Sequence, residues 1–384
     1  MVVQYEIRSG RYEHQTEGYR AFVPAALPPD PPIKFDGNLL SALSRADQAL
    51  GNLNGAIRTL PEPQLFVSMY VRQEALLSSR IEGTQSSLQE LLEAEAQLFG
   101  NDRYSDAYEV VNYIAATQLG LKQIENNSIT IQLIQDVHHE LLQNTRGSHL
   151  TPGEFRTNQV WIGPAGCRIQ EAEFIPPPPN QIELHMKALT DFIDQNDEFP
   201  LLVKVALVHS QFETIHPFRD GNGRIGRLLM TLILCKAKVL EHPVLYLSWF
   251  FNRHRTTYYE KLQSVRDDGS WEDWLIFCLR AVEEVSNHAA TTAQYILAMR
   301  EGDRNTINEN FGRTAANGHL LLDSLYEFPS TSINEVKALT GISYASAKLL
   351  VDRMIDSGLL REYTGYSRNK RYVLFRYLDL FDDM

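Results

Sequence analysis

Twelve residues, 216–227 with the sequence HPFRDGNGRIGR, bring together one histidine, one aspartate, one asparagine, three glycines and three arginines. His216 can accept a proton near neutral pH, and the carboxylate of Asp220 is a hard oxygen ligand suited to magnesium. Arg224 and Arg227 would share one face of a helix and add fixed positive charge. Together these residue types indicate phosphoryl-group chemistry on a polyphosphate.

The flanking segments place these residues in a loop between two helices. Residues 201–214 and 227–237 are apolar on nearly every face, which predicts two buried helices. We expect Asn222 to be the N-cap of the second helix, so that Gly221, Asn222 and Gly223 present backbone N–H groups at its positive end. Such a helix N-terminus binds anions, and the nearby arginines are disfavoured unless an anion offsets them.

Two other interpretations of the loop fail. Residues 221–226 formally satisfy G-x-G-x-x-G, but a dinucleotide-binding turn requires a preceding strand and an acidic residue further on. Here a helix precedes the loop, and the region around Tyr246 is apolar. A purely structural glycine loop would leave His216 and Asp220 unexplained.

The loop resembles the signature of the Fic family, H-x-F-x-D/E-G-N-G-R-x-x-R. All eight defined positions match, namely His216, Phe218, Asp220, Gly221, Asn222, Gly223, Arg224 and Arg227. The segment GEFRTNQVWIG with the following FIPPPP is similar to the family's substrate-aligning flap, and residues 246–274 resemble its post-motif helices. The resemblance covers roughly residues 15 to 295.

The resemblance implies that the chain transfers AMP from ATP to a hydroxyl of a target protein, or of itself, and releases pyrophosphate. By the same resemblance His216 is the general base on a Ser, Thr or Tyr hydroxyl, and Asp220 holds Mg²⁺. The glycine-rich turn with Asn222 would cradle the phosphates, Arg224 and Arg227 would stabilise their charge, and Arg227 would lie at the γ end. Such a reaction depends on positioning and electrostatics.

Three further positions follow from the resemblance. Tyr258 and Tyr259 match paired tyrosines near the family's adenosine pocket, although a core position is the alternative for one of them. Phe218 is expected to be a buried anchor. Arg266 lies where some relatives carry an asparagine beside the adenosine, which leaves base recognition open.

Residues 158–169, NQVWIGPAGCRI, predict a β-hairpin flap with its turn at 163–166, and the proline run that follows predicts polyproline geometry. An extended target segment could pair with the strand edge formed by Gln159, Val160, Trp161 and Ile162. The alternative is a structural hairpin that covers the core.

Residues 78–83, SSRIEG, fit the family's inhibitory motif S/T-x-x-x-E-G/N with Ser78, Glu82 and Gly83. Ser78 and Glu82 are four apart, and the preceding apolar pattern predicts a buried helix over about 66–82. In the family this glutamate pairs with the second motif arginine, here Arg227, and displaces the γ-phosphate. We therefore expect autoinhibition. An ordinary surface glutamate is the alternative, and removal of AMP from targets remains a second possible activity.

Helical spacing of apolar residues predicts a mainly α fold. We expect an N-terminal helical layer at residues 1–100 with the inhibitory helix, a Fic-type helical core with the β-hairpin flap at 101–300, and a linker at 301–318. A winged helix-turn-helix domain is expected at 319–384.

The expected winged helix has two possible uses. Ser332 and Ser343 are predicted N-caps, and residues 361–375 predict a two-stranded wing. The charges on the candidate recognition helix cancel, since they are Lys348, Arg353, Asp352 and Asp356. The best phosphate contacts lie in the wing and are Arg368, Lys370 and Arg371. DNA binding, protein docking and homodimer formation therefore remain open, and a nucleotide-sensing DNA-binding regulator is the alternative function.

Composition excludes several classes of protein. The chain has 384 residues, of which 43% are hydrophobic, and a formal net charge of -12, which argues against bulk attraction to nucleic acids or anionic membranes. It shows no apolar run of transmembrane length and no secretory signal pattern. The three cysteines lack CxxC spacing and predict neither a disulfide framework nor a thiolate metal site. We expect a cytoplasmic protein without a membrane partner.

Overall fold

The computed structural model describes residues 8–60, 63–96, 106–164, 166–195, 199–365 and 368–382. The chain divides into two compact units, the first made of Met1–Gly51 and Glu74–Ser286 and the second of Asn52–Gln73 and Asn287–Met384. Ala165 in the predicted flap turn and the predicted boundary at 100/101 lie outside the described residues. The boundaries at 300 and 318 stay predictions.

The described residues are mainly helical, as the sequence predicts. The elements up to the motif loop are β1 (Gly10–His14), β2 (Arg20–Pro24), α1 (Gly37–Arg58), α2 (Pro63–Ile81), α3 (Leu88–Glu95), α4 (Asp106–Ile124), α5 (Ile131–Leu142), α6 (Ile182–Asp194) and α7 (Leu201–Ile215). They are followed by α8 (Asn222–Lys236), α9 (Leu247–Arg253), α10 (Arg255–Asp268) and α11 (Trp271–Asn310). Across the described part of the chain, no helix is both long and apolar enough to span a membrane.

Helices α7 and α8 form the centre of the first unit, where α4 and α5 pack beside them. Every residue of α7 after Leu201 is buried, because an apolar pattern on all faces can only be satisfied inside a core. A Cβ at Gly120 in α4 would lie 2.9 Å from the Leu232 side chain of α8, so their close approach requires glycine. This packing fixes the ends of α7 and α8 that flank the motif loop.

A two-stranded ribbon, β1 with β2, was not predicted. The strands pair antiparallel, with Gly10 opposite Pro24 and His14 opposite Arg20. The N–H of Phe22 donates to the carbonyl of Ile175 at 2.8 Å, so the proline-rich segment after the flap lies against this ribbon. Each strand has only five residues, which is too short for a clear alternating pattern.

The predicted flap hairpin is only partly correct. Among the described flap residues, the two predicted β runs do not pair with each other around 163–166; instead Ile162 forms a single antiparallel bridge with Phe174. Residues Ile169–Glu171 between them form a short 3₁₀ turn. Phe174 is 2% exposed. Because an aromatic ring is favoured in the interior, Phe174 pairs with Ile162 in place of the polar residues that are closer to Ile162 in sequence.

The C-terminal elements of the second unit match a winged helix-turn-helix pattern. They are α12 (Ala315–Glu327), β3 (Ser330–Ser332), α13 (Ile333–Thr340), α14 (Tyr344–Asp356), β4 (Arg361–Glu362), β5 (Arg371–Val373) and α15 (Phe375–Asp382). β5 lies between β3 and β4 and is antiparallel to both. Ser332 and Ser343 cap α13 and α14 through their hydroxyls, as predicted.

Arg371, one of the three wing residues expected to be the best phosphate contacts, is not accessible for that role. Arg371 is 4% exposed and donates to both carboxylate oxygens of Glu335 at 2.9 and 3.2 Å and to the Ser330 hydroxyl at 3.0 Å. The central strand β5 is buried along its length, so its arginine serves the interior of the unit. Lys370 lies 3.7 Å from Glu362, whereas Arg368 is exposed.

Loss of the Glu335 charge should destabilise the protein more than loss of the Arg371 charge, although the two residues form one ion pair. Glu335→Gln leaves a buried guanidinium without its counter-charge and should lower the free energy of unfolding by about 2–3 kcal/mol. Arg371→Met should cost less, because the Glu335 side chain is 51% exposed and water can solvate it. Urea unfolding of the two full-length variants checks this order, and an equal or reversed cost would contradict it.

Candidate active site

The motif loop joins α7 to α8 through two left-handed backbone conformations. His216 follows α7 with φ 49° and ψ 60°, and Gly221 precedes α8 with φ 76°. The prediction that Asn222 is the N-cap is wrong, because Gly221 occupies that position and Asn222 is the first helical residue. The Asn222 amide instead binds back to Phe218, accepting from its N–H and donating to its carbonyl at 2.9 Å each. It thereby closes the loop.

His216 is half-buried at the start of this loop. Burial lowers the pKa of its imidazole to about 4, and the positive charges of Arg156 and Arg266 act in the same direction. The imidazole is therefore neutral at physiological pH. A neutral imidazole can accept a proton, which is the property that a general base needs.

Asp220 presents a carboxylate at the mouth of the loop. One oxygen accepts the N–H of Gly221 at 2.7 Å, and the other lies 3.7 Å from the Arg224 guanidinium. The side chain is 45% exposed. No cluster of three or more His, Cys, Asp or Glu suited to a metal occurs among the described residues. A single accessible carboxylate nevertheless fits Mg²⁺, which commonly takes one or two carboxylates and completes its shell with substrate phosphates and water.

Arg227 meets the predicted inhibitory motif directly. Its Nε donates to the Ser78 hydroxyl at 2.9 Å, and its Nη2 donates to the Ser78 carbonyl at 2.9 Å and to the Glu82 carboxylate at 2.8 Å. Helix α2 ends at Ile81, so Glu82 lies in the following turn, where Gly83 has φ 97°. The Arg227 side chain is 1% exposed but that of Glu82 is 35% exposed, so the predicted burial holds for Ser78 and is wrong for Glu82.

The Glu82 carboxylate lies at the N-terminus of α8. A Cβ on Gly223 would come within 2.1 Å of a Glu82 oxygen and 3.0 Å of the Arg227 guanidinium, so glycine is needed for this approach. The part of the Glu82 side chain that is shielded from water acts to raise its pKa, but the charges of Arg227 and Arg224 outweigh this effect and hold the pKa below its usual value. The anion expected at this helix N-terminus is thus supplied by the chain itself.

Arg224 has a carboxylate partner that was not predicted. Its Nη1 donates to Glu109 of α4 at 3.2 Å, and both side chains are nearly buried. The Thr84 hydroxyl donates to the same Glu109 oxygen at 3.4 Å. Both motif arginines are therefore paired with acids. The sequence signal that could have revealed this pair is Glu109 itself, since an acidic residue in an apolar helix requires a partner.

His138 of α5 also holds the motif loop and was not predicted. Its ring stacks on Phe218 with centroids 3.7 Å apart, and Phe218 is fully buried as predicted. The His138 Nδ1 accepts the N–H of Gly153 at 2.8 Å, so Nε2 carries the proton and donates to the Asp220 carbonyl at 3.0 Å. These contacts fix the backbone that presents the Asp220 carboxylate.

The two tyrosines lie in different environments. Tyr258 is 1% exposed, and its hydroxyl lies 2.8 Å from Nε2 of His209, so the core alternative describes it. Tyr259 is 43% exposed and keeps an accessible ring. Arg266 is buried and donates to the Thr214 hydroxyl at 3.2 Å, so it belongs to the supports of the loop.

The flap residues are held individually. The Gln159 amide donates to the Val160 carbonyl at 3.0 Å, and the Trp161 indole donates to the Cys167 carbonyl at 3.0 Å. Ile162 carries the single bridge described above. Trp161 is 42% exposed, so this part of the flap presents a large accessible side chain.

The helical core and the region before it match known family models. Residues 128–234 match a family model with the description "Fic/DOC family". Residues 40–122 match a second model, "Fic/DOC family N-terminal". The chain therefore carries a Fic domain, preceded by the family's N-terminal region, as the sequence motifs predict.

Similarity to individual proteins agrees with this assignment. The chain is 31% identical over 192 residues to a protein adenylyltransferase Fic from Nematostella vectensis, a match that covers 49% of this chain and 40% of the relative. It is 28% identical over 219 residues to the protein of the same name from Culex quinquefasciatus, covering 53% and 38%. The chain thus spans about two fifths of these relatives. The crystal structure of a Fic family protein from Desulfovibrio desulfuricans shares its fold, with TM-score 0.57, 18% identity, and coverage of 89% and 97%.

Proposed function

We propose that the chain is a protein adenylyltransferase that transfers AMP from ATP to a protein hydroxyl and is held inactive by Glu82. The observation that carries this proposal is the 2.8 Å ion pair between Glu82 and Arg227 beside a neutral His216. The names of the similar proteins support the activity.

The reaction assigns one role to each group. The target hydroxyl oxygen attacks the α-phosphorus of ATP, and the bond from that phosphorus to the oxygen of pyrophosphate breaks. His216 takes the hydroxyl proton. The first-turn N–H groups of α8, at Asn222 and Gly223, would bind the phosphates. Gly221 provides the left-handed turn into the helix, and its own N–H donates to Asp220.

Charge on the phosphates is offset by two arginines and by a metal ion that Asp220 would hold. Arg224 and Arg227 act directly, with Arg227 at the terminal phosphate once Glu82 has left. Asp220 would hold Mg²⁺, which when bound neutralises phosphate charge. Tyr259 is the accessible ring for the adenosine, whereas Tyr258 supports it from the core.

Binding of the target protein is assigned to the flap. The segment of Gln159, Val160, Trp161 and Ile162 would align an extended target chain near His216 through main-chain hydrogen bonds. Self-modification, removal of AMP, a homodimer, DNA binding by the winged helix and a cytoplasmic location stay predictions.

Labelled ATP tests the proposed activity. Full-length wild type, Glu82→Gly and Glu82→Gly/His216→Ala are incubated with magnesium and a bacterial lysate, using ATP labelled at the α- or the γ-phosphate. We expect protein-bound label from α-labelled ATP alone, and only with Glu82→Gly. Label from the γ-phosphate would indicate a kinase, and no label from a folded Glu82→Gly chain would overturn the proposal.

Asp220→Asn tests the magnesium role. Asparagine keeps an oxygen that can accept the Gly221 N–H but removes the charge. In the Glu82→Gly background we expect the rate to fall about 100-fold, as for loss of one preorganised electrostatic contact, and half-maximal rate to require more magnesium. Asp191→Asn, an exposed acid on α6, is the matched control. An unchanged magnesium dependence would contradict this role.

A further inference from the structure

Arg156 lies two residues before the predicted hairpin of the flap (residues 158–169), inside the first unit, with 2% of its surface exposed. Its guanidinium donates to four backbone carbonyls, those of His216 at 2.8 Å, Pro177 at 2.6 Å, Asn158 at 3.3 Å and Ile215 at 3.4 Å. Its own N–H donates to the Pro217 carbonyl at 2.9 Å. One buried side chain therefore joins two segments that are distant in sequence.

The two segments are the flap and the start of the motif loop. Asn158 directly precedes the flap strand, and Pro177 lies in the proline run that follows the flap. Ile215 and His216 form the junction at the end of α7. A planar guanidinium with five donors in fixed directions can hold such a set of carbonyls, whereas an ammonium group cannot.

His216 has a special need for this support. Its φ of 49° lies in the left-handed region, which is uncommon for residues other than glycine and persists only where the surroundings impose it. Arg156 binds the carbonyls of two successive peptides, the one that follows His216 and the one that follows Pro217. They fix the backbone from which the imidazole projects.

Arg156 also affects the charge state of the imidazole. Three charged side chains act on His216: Arg156 and Arg266 lower its pKa, and Glu82 raises it. A hydrogen bond with the Glu213 backbone also raises this pKa. Arg156 is the largest of the charged contributors after burial itself. Loss of its charge should therefore raise the pKa of His216, whereas loss of a purely structural contact would not.

We propose that Arg156 is a positioning residue that holds His216 and the flap as one rigid element, so that a target hydroxyl aligned by the flap meets the imidazole in the reactive orientation. This inference rests on the proposed function. It assigns the relative placement of base and target to a residue outside the Fic signature.

The test uses full-length Glu82→Gly as the parent and adds Arg156→Lys or Arg156→Gln. The acceptor is whichever protein the parent labels most strongly. Transfer at saturating ATP should fall about 100-fold in both variants, because misplacement by about 1 Å costs that much. KM for ATP should change less than threefold, since within the described part of the chain no hydrogen bond of Arg156 reaches α8 or the motif arginines. Arg280→Gln, at an exposed arginine of α11, should behave as the parent.

The pH profile separates positioning from general loss of structure. Arg156→Gln should move the acid limb of transfer to higher pH, while Arg156→Lys, which keeps the charge, should leave the limb unmoved. The inference is overturned if a folded Arg156→Gln chain transfers AMP at the rate of the parent. It is also overturned if ATP binding and the transfer rate fall equally while the acid limb of the pH profile stays where it is in the parent. If Arg156→Gln does not fold, Arg156→Lys provides the test. The inference then requires that the transfer rate falls while KM for ATP changes little. A parent that labels nothing refutes the proposed function instead.

Discussion

Glycine in place of Glu82 should raise AMP transfer from ATP about 100-fold or more over wild type. The reason is that the one Nη2 hydrogen of Arg227 now donated to Glu82 at 2.8 Å becomes available to the terminal phosphate. A preorganised donor that stabilises charge on the leaving pyrophosphate contributes about 10²–10³ in rate. Arg227 should keep its orientation, because Ser78 still holds its Nε and Nη2.

Incorporation of label from α-labelled ATP, measured as an initial rate, checks this expectation. Glu82→Gln should fall between wild type and Glu82→Gly, since it keeps the side-chain volume at α8 but loses the charge. Glu125→Gly is the matched control, because Glu125 is an exposed glutamate that also directly follows a helix. Equal rates for wild type and Glu82→Gly would show that the ion pair does not restrain the reaction.

The same ion pair should resist acid. The pKa of Glu82 lies below its ordinary value because of Arg227 and Arg224. An unperturbed glutamate has a pKa of about 4.3, and the ion pair is fully formed above that pH. Because the pKa of Glu82 in the folded chain is lower still, the pair is lost only as pH falls through that lower value. Acidification within the neutral range therefore leaves the inhibitory contact intact, and its release requires a competing anion or movement of α2.

The sequence predicted those parts of the site that are local in the chain. The glycines, arginines and acid of the motif loop lie within twelve residues, and apolar helices on both sides determine where the loop begins and ends. Ser78 and Glu82 were found because their spacing resembles a known motif. The structure brings both onto Arg227, which the resemblance implied.

The supports of the loop could not be found in this way. Glu109, His138 and Arg156 reach the loop across 115, 82 and 60 residues of sequence, and each lies in a segment whose pattern is dominated by its own helix or flap. Such long-range partners depend on tertiary packing. Arg371 shows the reverse error, because its position in a basic wing suggested exposure while the central strand buries it.

Alanine in place of His216 should abolish most of the activity released by Glu82→Gly. Removal of a positioned general base costs about 10²–10⁴ in rate. His149→Ala, which removes an exposed histidine, should leave the rate unchanged. Binding of ATP should persist in the His216→Ala chain, because the arginines and the N-terminus of α8 are retained.

The pH dependence of the Glu82→Gly chain identifies the base independently. His216 has a pKa lowered to about 4 by burial and by Arg156 and Arg266, so its basic form is lost only as pH falls through that value. Transfer should therefore be nearly constant from about pH 8 to about pH 5.5, whereas a histidine with an ordinary pKa of about 6.5 would already be mostly protonated at the lower limit. Removal of Glu82 strengthens this behaviour, because its negative charge raises the pKa of His216 in the wild type. An acid limb centred near pH 6.5 in folded Glu82→Gly would show that His216 is solvated as the reaction proceeds, and the buried geometry would then not describe the active state.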